Sequence, residues 1–179
     1  DLSIDDIMSI VIGVAFGVII GGRLGYVLFY GAGYYLEHPA EIIATWDGGM
    51  SFHGGLAGAV VGGSIVCRQY KISIPTICDL AVIGATWGIF FGRCANFVNG
   101  ELWGKECDLP WAVAFPSGGG VFRHPSQLYE AVLEGLVIFC VLWALSRKRP
   151  ARPQGTFMGT FLLLYGIFRF LIEFVRVPD

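Results

Sequence analysis

Four stretches of this sequence set nitrogen and oxygen chemistry against long apolar runs. Arg93 follows the run Ile74–Phe91 and opens Gly92–Gly104, where Asn96, Asn99 and Glu101 come at close spacing. Arg169, Glu173 and Arg176 crowd the end of a second apolar run. Glu130 and Glu134 stand at the start of a third, and His53 stands at the head of a fourth. Charge at membrane depth is costly and usually functional. Guanidinium forks match phosphate oxygens bidentately, so fixed arginines suit an anionic ligand, of which a lipid phosphate is the obvious one. Arg169 and Glu173 are i, i+4 and share a helix face, and Arg93 and Asn96 are i, i+3 if their helix persists. Glu130 and Glu134 are also i, i+4, and would repel unless each meets an arginine. There is no aspartate-rich metal motif, P-loop or dinucleotide fingerprint. The chemistry expected here uses Arg, His, Glu, Asn and Tyr, with no metal and no cofactor.

Apolar segments must position these residues. The chain of 179 residues is 55% hydrophobic and 15% charged, against roughly 25% charged in a soluble domain. A membrane-spanning helix needs about 20 mostly apolar residues. Five segments qualify: Ile4–Tyr30, Met50–Cys67, Ile74–Val98, Ser126–Ser146 and Gly155–Val175. The expected fold is therefore an all-α polytopic helix bundle, a single domain over 1–179. The second segment carries Gly54, Gly58 and Gly62 at four-residue spacing, which supports close helix packing without naming a partner.

Basic residues cluster after the second segment (Arg68, Lys71) and after the fourth (Arg147, Lys148, Arg149, Arg152), whereas Gly31–Gly49 has no Lys or Arg. The basic loops are expected on the cytoplasmic side. All five segments then agree with one topology, which places Arg23, His53, Arg93, Arg169 and their neighbours near the outer leaflet. The stretch 31–49, with Tyr34, Tyr35 and Trp46, reads as an outer interfacial segment. The stretch 100–125, rich in Gly and Pro, reads as an outer cap of loops and short strands. The net charge of −2 and the lack of a basic stripe argue against nucleic acid. The five cysteines include no CxxC and read as small core residues.

The motif residues together closely resemble the prolipoprotein diacylglyceryl transferase family. They are Gly22-Arg23-Leu24-Gly25-Tyr26, Trp46–Leu56 with His53-Gly54-Gly55-Leu56, Gly92-Arg93-x-x-Asn96-Phe97-x-Asn99-Gly100-Glu101-Leu102-Trp103-Gly104, His124–Glu130, and Tyr165-Gly166-x-x-Arg169-Phe170-x-x-Glu173-Phe174-x-Arg176. The resemblance implies a multi-pass enzyme of the bacterial inner membrane whose site faces the periplasm. It implies phosphatidylglycerol and the lipobox cysteine of a prolipoprotein as substrates, with a thioether and glycerol phosphate as products. The family has seven membrane helices, so an initial and a final helix are expected to lie outside this sequence. Carried over by position, Arg93 and Arg169 are expected to serve catalysis and phospholipid binding, and His53 is the motif histidine. Tyr26, Asn96, Asn99, Glu101, Glu173 and Arg176 are expected around the headgroup. Two other classes fit the residues alone: an arginine-lined anion transporter, which needs polar groups through the full bilayer depth, and a non-catalytic phospholipid-binding membrane protein.

Overall fold

A computed structural model describes residues 2–147 and 151–178. The chain forms two compact units, Asp1–Ile74 and Pro75–Asp179. Lys148 and Arg149, used above in the topology argument, lie outside the described residues.

The first unit is built on α1 (Ile4–Tyr30) and α3 (Phe52–Gln69), joined by a short helix α2 (Ala32–Glu37) and two 3-10 turns, Pro39–Ile43 and Thr45–Asp47. Ser3 starts α1 with a capping box: its hydroxyl accepts from Asp6 N while Asp6 Oδ2 accepts from Ser3 N, both at 3.1 Å. Such a box satisfies two of the amide donors that a helix start leaves open. Ser51 caps α3 by accepting from Gly54 N at 3.2 Å. The partner of the glycine series on α3 is α1 itself, through Gly13, Gly17 and Gly21. A Cβ on Gly58 would fall 1.9 Å from the Gly17 carbonyl oxygen, and one on Gly17 would fall 2.1 Å from Gly58 O. The two backbones touch directly, a packing that only small residues permit.

The connecting segment of this unit is anchored by Arg23, which is buried on α1. Its Nε donates to Ile42 O at 2.8 Å, Nη2 to Glu41 O at 2.7 Å, and Nη1 to Gly48 O and Gly49 O at 2.7 and 3.1 Å. Tyr34 Oη donates to Glu41 Oε2 at 2.6 Å. That bond to a carboxylate pushes the Tyr34 phenol above its ordinary pKa.

The second unit holds α4 (Ile74–Asn99), α5 (Ser126–Ser146) and α6 (Thr156–Glu173). Val82, Ile138 and Leu142 form its buried core, flanked by Phe157, Phe161, Leu164 and Phe168. Asp79 on α4 ties the start of α6, accepting from Gly155 N at 2.7 Å and Met158 N at 2.9 Å. A carboxylate there complements the positive end of the helix. Helix α5 is irregular: Ala131–Val137 is π-helical between two α-helical stretches. Between α4 and α5, residues 100–125 form a cap in which β1 (Val113–Ala114) pairs antiparallel with β2 (Phe122–Arg123). Bridges Glu106–Arg123 and Gly104–Arg176 extend this pairing to the segment after α6.

Four of the described helices, α1, α4, α5 and α6, are long and apolar enough to cross a membrane. The fifth expected span is the helix α3, whose glycines lower its hydropathy below that of a lipid-facing span. Large apolar side chains along the four long helices, such as Phe16, Phe91, Leu163 and Phe170, are exposed, as a lipid solvent allows. The chain is an all-α polytopic membrane protein carrying a small strand-containing cap.

Candidate active site

The second unit gathers its charges where α4 and α6 end and α5 begins. Glu130, in the first turn of α5, is buried with a side chain only 2% exposed and serves two arginines. Arg93 Nε lies 2.5 Å from Glu130 Oε2, and Arg176 Nη1 lies 3.4 Å from Glu130 Oε1. A bridging carboxylate of this kind fixes two cations in one place, because breaking the pair would strand a buried charge. The close approach of α4 to α5 rests partly on Gly135, where a Cβ would lie 2.8 Å from Phe90 Cβ. Arg93 sits one turn beyond Phe90, so this contact helps to set its reach to Glu130.

Arg169 pairs with Glu173 one turn further along α6. Arg93 also reaches Asn96 Oδ1 at 3.5 Å, and Asn96 Nδ2 donates to Glu101 Oε2 at 3.1 Å. Glu130 thus brings Arg93 and Arg176 together, and Glu134 follows one turn further along α5. Glu134 is fully buried, and neither carboxyl oxygen has a hydrogen-bond partner among the described residues.

The loop that carries Glu101 is held from α5. Gln127 Nε2 donates to Glu101 O at 2.6 Å and Ser126 Oγ to Leu102 O at 3.1 Å, and both side chains are fully buried. Leu102 adopts a left-handed backbone with φ of 53°. Gly104 then passes between two carbonyls: a Cβ there would lie 2.7 Å from both His124 O and Val175 O. The sequence motifs around Gly92–Gly104 and His124–Glu130 are thus the two halves of one clamp.

A family profile described as prolipoprotein diacylglyceryl transferase matches residues 2–179. The chain belongs to the prolipoprotein diacylglyceryl transferase family. Relatives named phosphatidylglycerol–prolipoprotein diacylglyceryl transferase include one from Geobacter sulfurreducens, 53% identical over 99% of this chain and 68% of its own length. The Bordetella avium relative is 51% identical over 100% of this chain and 67% of its own length. The one from Rhodospirillum rubrum is 49% identical over 100% of this chain and 65% of its own length. The chain therefore spans about two thirds of the length of these relatives.

Among the residues singled out from sequence, this family member brings Arg93, Asn96, Glu101, Arg169, Glu173 and Arg176 into the second unit as described. The i, i+4 pair Arg169–Glu173 forms as its spacing predicts. Arg176 turns to Glu130 across the fold. Asn99 is exposed at the end of α4. Tyr26 and His53 belong to the first unit. The Tyr26 ring stacks on Tyr30 with centroids 5.7 Å apart, and it backs onto Gly49, beside the Arg23 guanidinium. His53 is exposed in the first turn of α3, edge-on to Phe52, with no side-chain hydrogen bond among the described residues. Asp79, on the α4 segment, is occupied by its cap on α6.

In the sequence Glu130 and Glu134 stand together as acids that need arginines, and Gln127 stands only within the motif His124–Glu130. The signal for Glu130 was its need for an arginine. Nothing in the spacing distinguished it from Glu134, or revealed that Ser126 and Gln127 hold backbone carbonyls.

Proposed function

We propose that the chain transfers the diacylglyceryl group of phosphatidylglycerol to the lipobox cysteine thiol of a prolipoprotein. The thiol sulfur attacks the glyceryl carbon that bears the phosphate oxygen. A carbon–sulfur bond forms, the carbon–oxygen bond breaks, and its electron pair leaves on glycerol phosphate. The thiol proton passes to a base, a role for which His53 is the candidate.

One observation carries the arginine assignment. Arg93 and Arg169 each present N–H groups without a partner among the described residues, whereas Arg23 has four of its bonds filled by carbonyls. Their guanidinium side chains are 23% and 31% exposed, against 7% for Arg176. Two fixed, partly open forks suit a phosphodiester in the ground state and the developing charge on the leaving phosphate. Arg176 and Glu130 set the position of Arg93. Asn96, Asn99, Glu101, Glu173 and Tyr26 are proposed to shape the headgroup site.

The site faces the periplasmic side of the bacterial inner membrane on this reading. The basic residues Arg68, Lys71, Arg147 and Arg152 mark the opposite, cytoplasmic side. The segment 31–49, whose Leu36, Ile43 and Trp46 side chains are exposed, lies along the outer lipid surface. The test is direct: incubate the protein in proteoliposomes with labelled phosphatidylglycerol and a lipobox peptide. A thioether-linked diacylglyceryl peptide is expected. A folded protein that gives no such product would refute the proposal.

A further inference from the structure

The cap carries an open cleft of about 340 Å³ lined by Glu101, Leu102, Trp103, Ser117, Arg176 and Val177 among others. Its walls are fixed. Ser117 Oγ donates to Gly100 O at 2.8 Å and accepts from Trp103 Nε1 at 3.2 Å. The Arg123 guanidinium lies 4.2 Å from the Trp103 ring centroid. The left-handed Leu102 is held by Ser126 and by the neighbouring Gln127–Glu101 bond. Backbone strain of this kind persists only where the surroundings over-determine it, and it concentrates at functional sites.

The cleft adjoins the charge site, since Arg176 and Glu101 line it and also bond to residues of that site. Arg176 pairs with Glu130, and Glu101 accepts from Asn96, the neighbour of Arg93. Its lining is mixed, with a carboxylate and a hydroxyl on one hand and the faces of Trp103, Leu102 and Val177 on the other. A polyol headgroup would leave the apolar wall bare. A polypeptide supplies N–H donors and side-chain carbon together.

Resting on the transferase reading above, we propose that this cleft binds the segment of the acceptor polypeptide that immediately follows the lipobox cysteine. The acceptor has an apolar signal segment on one side of its cleavage region and the mature chain on the other. With the signal segment in the bilayer and the cysteine at the arginines, the mature chain must continue past the ends of α4 and α6. The cap stands there. A backbone N–H group of the incoming chain meets Ser117 Oγ, and its side chains pack on Trp103 and Val177.

Two lipobox peptides test this, one ending at the cysteine as an amide and one continuing for three residues. In proteoliposomes the longer peptide should have a KM about tenfold lower, the equivalent of ~1.4 kcal/mol. Val177→Trp, which fills the cleft, should erase that difference while leaving KM for phosphatidylglycerol within about twofold, a shift under ~0.5 kcal/mol. The unchanged lipid KM also reports a folded site. Pro178→Trp, at the exposed rim of the same cleft, should weaken the long peptide in the same direction if Val177→Trp fails to accumulate. Equal KM values for the two peptides with the unsubstituted protein would overturn the proposal. So would a Val177→Trp protein that still prefers the longer peptide, or one whose lipid KM rises instead, which would make the cleft a headgroup pocket. Failure of the unsubstituted protein to modify either peptide would instead refute the transferase reading itself.

Discussion

Arg23 and Arg93 are both arginines at the ends of apolar helices, yet the two units use them in opposite ways. In the first unit Arg23 is wrapped by four backbone carbonyls, and the helices that carry the load meet through glycine backbones. In the second unit Arg93 and Arg176 share one buried glutamate, and Arg169 pairs with Glu173. The first arrangement leaves little donor capacity; the second holds cations in place while keeping N–H groups available. A membrane protein can therefore use one residue type as mortar in one region and as reagent in another. The bonding around the guanidinium, not its depth, tells the two apart.

The comparison is tested hardest at Glu130. Glu130→Gln keeps the shape and removes the charge between Arg93 and Arg176. Leaving buried charges without their partner costs about 3–5 kcal/mol, so the thermal midpoint in detergent should fall sharply and transfer should be lost. A Glu130→Gln protein of unchanged midpoint would show that the second unit does not rely on this bridge.

The arginines come next. Arg169→Lys retains charge but loses the fork, and removing one preorganised donor from a developing oxyanion typically costs 10²–10³-fold in rate, about 2.7–4 kcal/mol. The protein should accumulate and melt normally while transfer drops by that order. Arg23→Lys should do the reverse, lowering stability because carbonyls of Glu41, Ile42, Gly48 and Gly49 lose donors, at about 1–3 kcal/mol for a buried group left unsatisfied. If Arg23→Lys spares the midpoint and raises KM for phosphatidylglycerol, the division between structural and chemical arginines fails.

Glycine seams give a smaller effect and a cleaner control. Gly58→Ala would put a methyl group 1.9 Å from Gly17 O, so α1 and α3 must separate. Overpacking of this type costs about 1–3 kcal/mol. Gly84 on α4 has nothing within 4 Å of its would-be Cβ, and Gly84→Ala should be neutral or slightly stabilising, since glycine weakens a helix interior by roughly 0.5–1 kcal/mol. Equal midpoints for the two variants would remove the backbone seam as the basis of the first unit.

Much of this was legible from the sequence because apolar length and loop charge are local signals. The helices of Ile4–Tyr30 and Ile74–Asn99, and the Arg169–Glu173 pair, follow from run length and four-residue spacing. The glycine series of α3 was visible, but its partner on α1 was not, because spacing gives a face and not the surface it meets. The π-helical stretch Ala131–Val137 has no local signature. The different fates of Glu130 and Glu134 emerge only when Arg93 of α4 and Arg176 of the segment after α6 close on Glu130. The hold of Ser126 and Gln127 on the Glu101–Leu102 backbone joins residues about 25 positions apart, with separations of 24 and 26. Such contacts are products of tertiary packing and leave no period to read.

The smallest expected effect concerns the thiols, and it separates two origins for the nucleophile. Cys67 is buried, Cys78, Cys94 and Cys107 are half-buried, and Cys140 is exposed. Among the described residues, no hydrogen bond or ion pair links Cys78, Cys94, Cys107 or Cys140 to Arg93, Arg169, Glu130 or Glu134. A reactive enzyme thiol needs a positive partner or a base to hold it as thiolate, and Cys94 has Arg93 as its sequence neighbour. If the attacking sulfur belongs to the acceptor peptide, replacing Cys67 with Ala and the other four with Ser should leave transfer within about twofold, a change below ~0.5 kcal/mol in barrier. Loss of transfer in that variant, with an unchanged midpoint and restoration by Cys94 alone, would move the nucleophile into the protein. The arginines would then have to stabilise a thiolate of the chain itself as well as a departing phosphate.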